Sequence, residues 1–236
     1  GSAINVAIKS GTNDYHGSAH WFHTNSAMRA RNFFNATNGI PKNILNQGGF
    51  TFGGPILKNK LFFFTDWERT VRREFRSVFQ TVPTEAMRRG DFSNLPVSTA
   101  VAQIYDPNSG TTLANRQLFP NQIIPTSRID LAANRMNALL PAPNQTTYPN
   151  NYFAAGSYQF NRDNFDIKVN YNPTDKSSMF ARYSFSPSDI FDPPALGPAG
   201  GNAIAGGQPG NSPGRIQSAS VGGAYTIPPR LLADAT

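Results

Sequence analysis

Apolar and polar residues alternate one for one along much of this chain, the period of a strand with one apolar and one wet face. The clearest run is Asp163 to Tyr171. Phe165, Ile167, Val169 and Tyr171 fall on one side, and Asn164, Asp166, Lys168 and Asn170 on the other. After Asn172-Pro173-Thr174-Asp175-Lys176, a stretch of turn-forming residues, the pattern resumes. Met179, Ala181, Tyr183 and Phe185 oppose Ser178, Arg182 and Ser184, with Phe180 out of phase. These two runs predict a tight antiparallel hairpin. From Ser218 to Ile227 the pattern recurs, with Ala219, Val221, Tyr225 and Ile227 against Ser218, Ser220 and Thr226. Near the front, Tyr15, Ala19 and Trp21 oppose His16, Ser18 and His20. Phe50 and Phe52 lie in a glycine-rich strand ending at Gly53-Gly54-Pro55. A long strand then runs from Leu61 to about Val78, with Leu61, Phe63, Trp67, Val71 and Phe75 at odd positions.

About six strands follow, and their connections alternate in length. Leu57 to Lys60, Asn172 to Lys176 and Pro228-Pro229-Arg230 are short; Asn25 to Gln47, Gln80 to Gly156 and Pro187 to Arg215 are long. Tight turns at one end and extended loops at the other are the organisation of an outer-membrane barrel. A soluble sandwich distributes long loops to both ends. Lipid offers the backbone no hydrogen-bond partner, so strands that span it must close into a barrel. The smallest such barrels have about eight strands, so six strands are expected to be part of a wall. The fold class expected is therefore all-β, a partial antiparallel transmembrane β-barrel with long extracellular loops, in the bacterial outer membrane. In the longest loop, Ser127 to Leu140 reads as a helix opened by Ser127 and stopped by Pro141.

Composition agrees with a two-faced sheet. Hydrophobic residues make up 39% and charged residues only 15%, against roughly 25% in an ordinary soluble domain. Neutral polar residues and 12% aromatics take the place of the missing charge. No apolar run approaches the ~18 residues of a membrane helix. The net charge of +7 raises nucleic acid as a partner. Yet the basic residues are scattered, apart from Arg69, Arg72, Arg73 and Arg76 and the pair Arg88 and Arg89, and no nucleic-acid-binding motif accompanies them. Nucleic acid is not an expected partner. With no cysteine, a disulfide framework, a thiol nucleophile and a cysteine zinc site are excluded. Gly1 is not an initiator methionine, no signal segment precedes Ile4, and Leu231 to Thr236 shows no terminal feature. The chain is expected to be a fragment.

A series of short blocks carries a resemblance. Ile4-Asn5-Val6-Ala7-Ile8-Lys9-Ser10-Gly11-Thr12-Asn13 is followed by Tyr15-His16-Gly17-Ser18, Arg31-Asn32-Phe33-Phe34 and Gln47-Gly48-Gly49-Phe50. Then come Gly53-Gly54-Pro55-Ile56, Lys60-Leu61-Phe62-Phe63-Phe64 and Thr81-Val82-Pro83-Thr84 with Met87-Arg88. Gly90-Asp91-Phe92-Ser93, Ile124-Pro125, Arg128-Ile129-Asp130 and the hairpin around Asp175-Lys176 complete the series. In this order the blocks resemble the plug-to-barrel junction and first wall strands of TonB-dependent receptors, in particular the Oar-like branch, whose members carry a carboxypeptidase-regulatory-like domain upstream. The resemblance implies residues 1-13 as the last strand of a plug domain and 14-236 as the N-terminal part of an incomplete barrel of about 22 strands. It also implies transport of a large solute, driven by a TonB-type energy-transducing complex engaged through an N-terminal part not in this chain. Two other functions remain open: a passive porin-like channel, and a β-rich surface binding protein whose apolar residues point into a closed core.

The faces nominate residues. Asp66, Glu68, Arg72, Glu74 and Arg76 share one side of the long strand and, with Asn164, Asp166 and Lys168, are candidates for the lumen face. There the charges are expected to pair across neighbouring strands. Candidates for the lipid-facing or interface side are Tyr15, Trp21, Trp67, Phe165, Ile167, Val169, Tyr171, Tyr183 and Tyr225, since Trp and Tyr favour the headgroup level. Arg69 and Arg73 fall on that outward side beyond its apolar section, where guanidinium groups can meet lipopolysaccharide phosphates. Outer-membrane lipid and lipopolysaccharide are thus expected partners. His16, His20 and His23 would share a helix face, but on a strand His23 points opposite the other two, so no metal site is expected. The glycine-rich Gly197-Pro198-Ala199-Gly200-Gly201 and Gly206-Gly207-Gln208-Pro209-Gly210 lack the Lys-Ser/Thr of a phosphate loop. No catalytic constellation and no cofactor site emerges, so an enzyme is not expected.

Overall fold

The fold is that of a computed structural model in which residues 8–30, 40–94, 103–227 and 231–235 are described. Seven strands form one sheet in sequence order: β1 His16–Asn25, β2 Asn43–Leu57, β3 Leu61–Gln80, β4 Tyr152–Thr174, β5 Ser177–Asp192, β6 Gly210–Ile227 and β7 Leu231–Ala235. It is an antiparallel meander, and β1 and β7 are its edges. Two free edges and seven strands make this an open stretch of barrel wall, since closure requires about eight or more. Two short helices, α1 Glu85–Arg88 and α2 Leu131–Leu139, lie in the longest loop.

Where the apolar alternation is strong, strand positions match those expected. The differences lie at the strand ends that face the long loops. There are seven strands rather than about six. β2 begins at Asn43 instead of after Gln47, β4 at Tyr152 instead of after Gly156, and β6 at Gly210 instead of after Arg215. β5 continues to Asp192. Beyond the apolar section no one-for-one alternation marks the strands, because apolar residues such as Tyr152, Phe153 and Ala154 follow one another on both sides, while backbone pairing continues undiminished. Helix α2 starts at Leu131 rather than Ser127. Its cap is Asp130, whose carboxylate accepts from the Ala132 N–H at 2.7 Å, and a separate 3₁₀ turn covers Thr126–Arg128. The strand expected over residues 1-13 is not seen at 8–13, which carry no strand pairing. Its first seven residues, Arg31-Asn32-Phe33-Phe34 and the turn at Pro228-Pro229-Arg230 lie outside the described residues.

Two compact units are distinguished: Gly1–Phe75, Ser157–Phe191 and Asn211–Thr236, which is the wall, and Arg76–Gly156 with Asp192–Gly210. Within the wall, among the described residues, Phe64 is the one large apolar side chain that is buried. A sheet with no core beneath it is what a barrel wall requires. The short turns are staggered. Lys60 O accepts from Asn172 N at 2.7 Å, and Lys176 O from Thr226 N at 2.8 Å. Each turn therefore sits opposite a residue two or three positions from the neighbouring turn.

The second unit has a small core of its own, with Ala154, Ala195 and Ile204 packed against Val78 and Tyr152. Its long loop is pinned at the base by the Asn151 amide, beside a bond of 2.9 Å from the Asn150 N–H to Thr81 Oγ1. Asn151 donates through Nδ2 to Val82 O and accepts through Oδ1 from Val82 N, both at 2.8 Å. Arg88 places its guanidinium on the carbonyls of Asn137, Leu140 and Pro141 at 2.6, 3.1 and 2.5 Å, which adds charged donors at the C-terminal end of α2 to the Leu140 N–H that caps Asn137 O. At the end of β5, the Asp192 carboxylate is fully buried and accepts from the N–H groups of Ala205 and Gly207 at 3.0 and 3.2 Å. It thereby ties down the glycine-rich segment.

Candidate functional site

The sheet registers sort the wall residues into two faces. On β1 to β3, Ser18, Thr51 and Asp66 are aligned, as are His20, Gly49 and Glu68. On β4 and β5, Asp166 opposes Ser184 and Lys168 opposes Arg182. Asp66, Glu68, Asn164 and Asp166 line one cavity of about 200 Å³ together with Ser184 and Ser186, so the polar faces of the two halves are the same face. Arg72 and Glu74 continue it on β3, and Arg76 follows at the next even position.

The charges on this face do not all pair across strands as expected. Arg72 Nη2 meets Glu74 Oε2 at 2.7 Å along its own strand. Asp66, Glu68 and Asp166 gather on one cavity, and among the described residues none of them forms an ion pair with a lysine or arginine. The carboxylate of Asp166 instead accepts from Ser184 Oγ, and Asn164 Oδ1 accepts from Ser186 Oγ at 2.6 Å. His20 Nε2 reaches Glu68 Oε2 at 3.6 Å from two strands away. That contact exists because the residue between them is Gly49. A Cβ there would lie 2.3 Å from the carbonyl oxygen of Trp67, and any larger side chain would stand between imidazole and carboxylate. His16 lies near Thr12 Oγ1 and His23 bonds Asn46 Oδ1 at 2.7 Å, so each histidine has its own partner. Among the described residues no group of three metal-ligating side chains converges.

The opposite face is apolar and uncovered. Trp21 is 69% exposed, Tyr15 65%, Phe165 37%, Ile167 36% and Tyr171 43%. Trp67, Val169, Tyr183 and Tyr225 share this side. Its aromatic rings lie flat on glycines: the Trp21 ring over Gly48 and the Tyr15 ring over Gly54, with Tyr15 Oη donating to Pro55 O at 2.8 Å. Phe50 packs on Trp67 with centroids 6.0 Å apart. Arg69 and Arg73 are on this face too. Arg69 reaches Asp163 Oδ2 at 3.4 Å, and Arg73 bonds the carbonyls of Arg72 and Phe160.

Arg182, directly opposite the nominated Lys168, is the polar-face cation that residue-by-residue reading did not nominate. Lys168 Nζ donates to Ile8 O at 3.2 Å and lies 5.5 Å from the ring centroid of Phe180. Phe180, out of phase in the sequence, therefore has a polar-face partner. Next to it the described N-terminal residues lie against the wall. Gly11 sits where a Cβ would be 2.2 Å from Phe63 O, and Asn13 exchanges bonds of 2.6 and 2.7 Å with Asn59. The Lys168–Arg182 juxtaposition was available from the hairpin itself, because a turn at Asp175-Lys176 fixes which residues oppose each other. Nothing in the pattern signals the approach of Ile8, which lies 160 residues away.

In the second unit, Arg128 grips the Asp106 carboxylate with both terminal nitrogens at 2.7 and 3.0 Å. This guanidinium, followed by the Asn108 N–H, holds the Asp106 carboxyl below the usual carboxylate range.

No curated protein and no solved structure matches the chain. The model of one family, the outer membrane beta barrel domain, matches residues 7–236. With a one-sided apolar sheet, a polar opposite face and no helix long and apolar enough to cross a membrane among the described residues, the chain belongs to the outer membrane beta barrel domain family and is a component of the bacterial outer membrane.

Proposed function

We propose that this wall belongs to a TonB-dependent transporter of the Oar-like kind, carrying a large solute through a plugged barrel without a catalytic step. The transport or channel role follows from the barrel domain; the finer reading rests on the ordered blocks from Ile4 to Lys176. The observation that carries it over an open pore is the N-terminal segment. Ile8 is held to the polar face by Lys168, and beyond it Gly11 runs close to the Phe63 backbone and Asn13 is bonded to Asn59 of the β2–β3 turn, where an open channel needs a clear wall. In this reading Asp66, Glu68, Arg72, Glu74, Arg76, Asn164, Asp166 and Lys168 face the lumen or the plug. The aromatic face meets lipid, and Arg69 and Arg73 meet lipopolysaccharide phosphates. A surface binding protein with a closed core is disfavoured by the exposure of Phe165, Ile167 and Tyr171.

Two measurements on the full-length protein test this. In planar bilayers a plugged transporter shows no steady conductance, whereas a passive channel conducts at rest. In cells, uptake or solute-dependent growth stops when the TonB-type complex is deleted. Steady conductance with uptake indifferent to that deletion would establish the porin-like alternative instead.

A further inference from the structure

Lys168 and Arg182 are directly opposed across the β4–β5 hairpin and share the polar face. Side chains so placed start about 5 Å apart at Cβ, and like charges there destabilise the pair. Among the described residues neither forms an ion pair within 4.0 Å. Asp166 is the adjacent carboxylate on the face, two positions along β4, and it accepts from Ser184. Arg182 donates through Nη2 to Ser218 Oγ at a long 3.4 Å, and its Nε is buried with no hydrogen-bond partner. Lys168 is steadied by the Phe180 ring, and its ammonium is satisfied by a neutral backbone oxygen, that of Ile8. Two adjacent cations, one unused donor and a borrowed carbonyl are the parts of a site for a group with several negative oxygens. Guanidinium and ammonium together favour such a group through charge-assisted bonds about twice as strong as neutral ones.

We infer that Lys168 and Arg182 form an oxyanion-binding pair for a carboxylate or phosphate group of the transported solute, and that the Ile8 carbonyl occupies it at rest. This rests on the transport reading, which puts the polar face along the solute's path, and it adds the chemistry of the solute. An incoming oxyanion replaces one neutral acceptor on Lys168 and supplies a partner to Arg182 Nε. Binding therefore frees the segment from Ile8 towards Asn13 at its Lys168 end, leaving the Asn13–Asn59 attachment in place.

The test uses the purified full-length protein in detergent, titrated with inorganic phosphate and, separately, with acetate, against sodium chloride at matched ionic strength. One or both oxyanions, but not chloride, are expected to raise the midpoint of thermal unfolding and to speed hydrogen exchange at Ile8 to Asn13. A response to phosphate alone assigns a phosphate group, and a response to acetate alone a carboxylate. Lys168→Met and Arg182→Met should each weaken the apparent affinity about 10-fold or more. Arg182→Lys should retain most of it, and Arg135→Gln on the exposed surface of α2 should leave it unchanged. Compact, heat-modifiable gel migration identifies variants that have folded; should Lys168→Met not fold, Lys168→Gln takes its place. An equal midpoint rise in wild type and both methionine variants marks an adventitious ion only, and no rise in wild type removes the site; either result overturns the inference. The titration is independent of the TonB-type complex, so its failure is distinguishable from failure of the transport reading.

Discussion

Replacing Asn151 with leucine tests whether one buried amide closes the base of the long loop. Asn151 is 3% and Val82 1% exposed, so water does not replace a lost partner there. Leucine has nearly the same size but neither donates nor accepts, which leaves both the N–H and the C=O of Val82 unpaired. Each orphaned buried group costs about 1–3 kcal/mol, giving about 2–6 kcal/mol for the pair. Val82→Ala provides the comparison. It keeps both bonds and removes two methyl-sized groups, at roughly 1.5–2 kcal/mol from transfer alone, with a cavity contribution added. The readout is hydrogen exchange at Val82 in the full-length protein, supported by limited proteolysis of residues 81–151 in outer-membrane vesicles. Because about 1.4 kcal/mol corresponds to tenfold, Asn151→Leu should cut protection at the loop base by roughly 30-fold or more, beyond the effect of Val82→Ala. Protection equal to wild type in Asn151→Leu, with Val82→Ala sensitive, would show that packing alone closes the loop.

Three further outcomes are expected. Gly48→Ala places a Cβ 2.2 Å from the Trp21 ring, so in a Trp67→Phe background the Trp21 emission maximum should move; an unchanged spectrum would mean that the ring does not rest on Gly48. Asp192→Ala strands the N–H groups of Ala205 and Gly207, at about 1–3 kcal/mol each, and should make residues 193–209 the first site of proteolysis, with wild-type resistance as the contrary result. The depressed Asp106 carboxyl stabilises its loop above the unfolded carboxylate value of about 3.9. That contribution is lost as pH falls through the lower folded value, so acid should open the loop, and Arg128→Gln should shift the onset to higher pH. An onset identical in both proteins would assign the acid step to another group.

The wall was legible in sequence wherever one face meets an apolar phase. Phe165, Ile167, Val169 and Tyr171 announce their strand because every second position must be apolar. Tyr152 to Arg162 belong to the same strand yet do not, since apolar Tyr152, Phe153 and Ala154 follow one another and so do polar Asn161 and Arg162. The glycines of β2 weaken a strand signal for a structural reason: Gly48 and Gly54 give up side chains to rings from β1, and Gly49 to a contact between β1 and β3. Of the site, face membership was readable and partners were not. Parity placed Asp66 and Asp166 together, but it carries no information on Ile8 reaching Lys168 or on Asn151 pairing with Val82, where chain separation is large and a single hydrogen bond decides.

The stagger of the short turns fixes a level surface across the wall. Each turn is displaced about 2.5 residues from the next, roughly 8 Å along the strand at 3.3 Å per residue, over a lateral distance of about 9.6 Å. The strands therefore lean about 40° from the barrel axis, within the range that closed barrels adopt. Hydrogen-bonded neighbours are consequently not at equal height, and each residue climbs only about 2.5 Å. Measured from the short turns in this way, Phe165 and Ala219 stand at one height, about ten residues up, and Trp67 slightly below them. Arg69 emerges at that same boundary, while Arg73 and Arg215 face outward together about 10 Å higher. The greasy band thus ends in a plane that no register row follows, and that plane is drawn by the lengths of the turns.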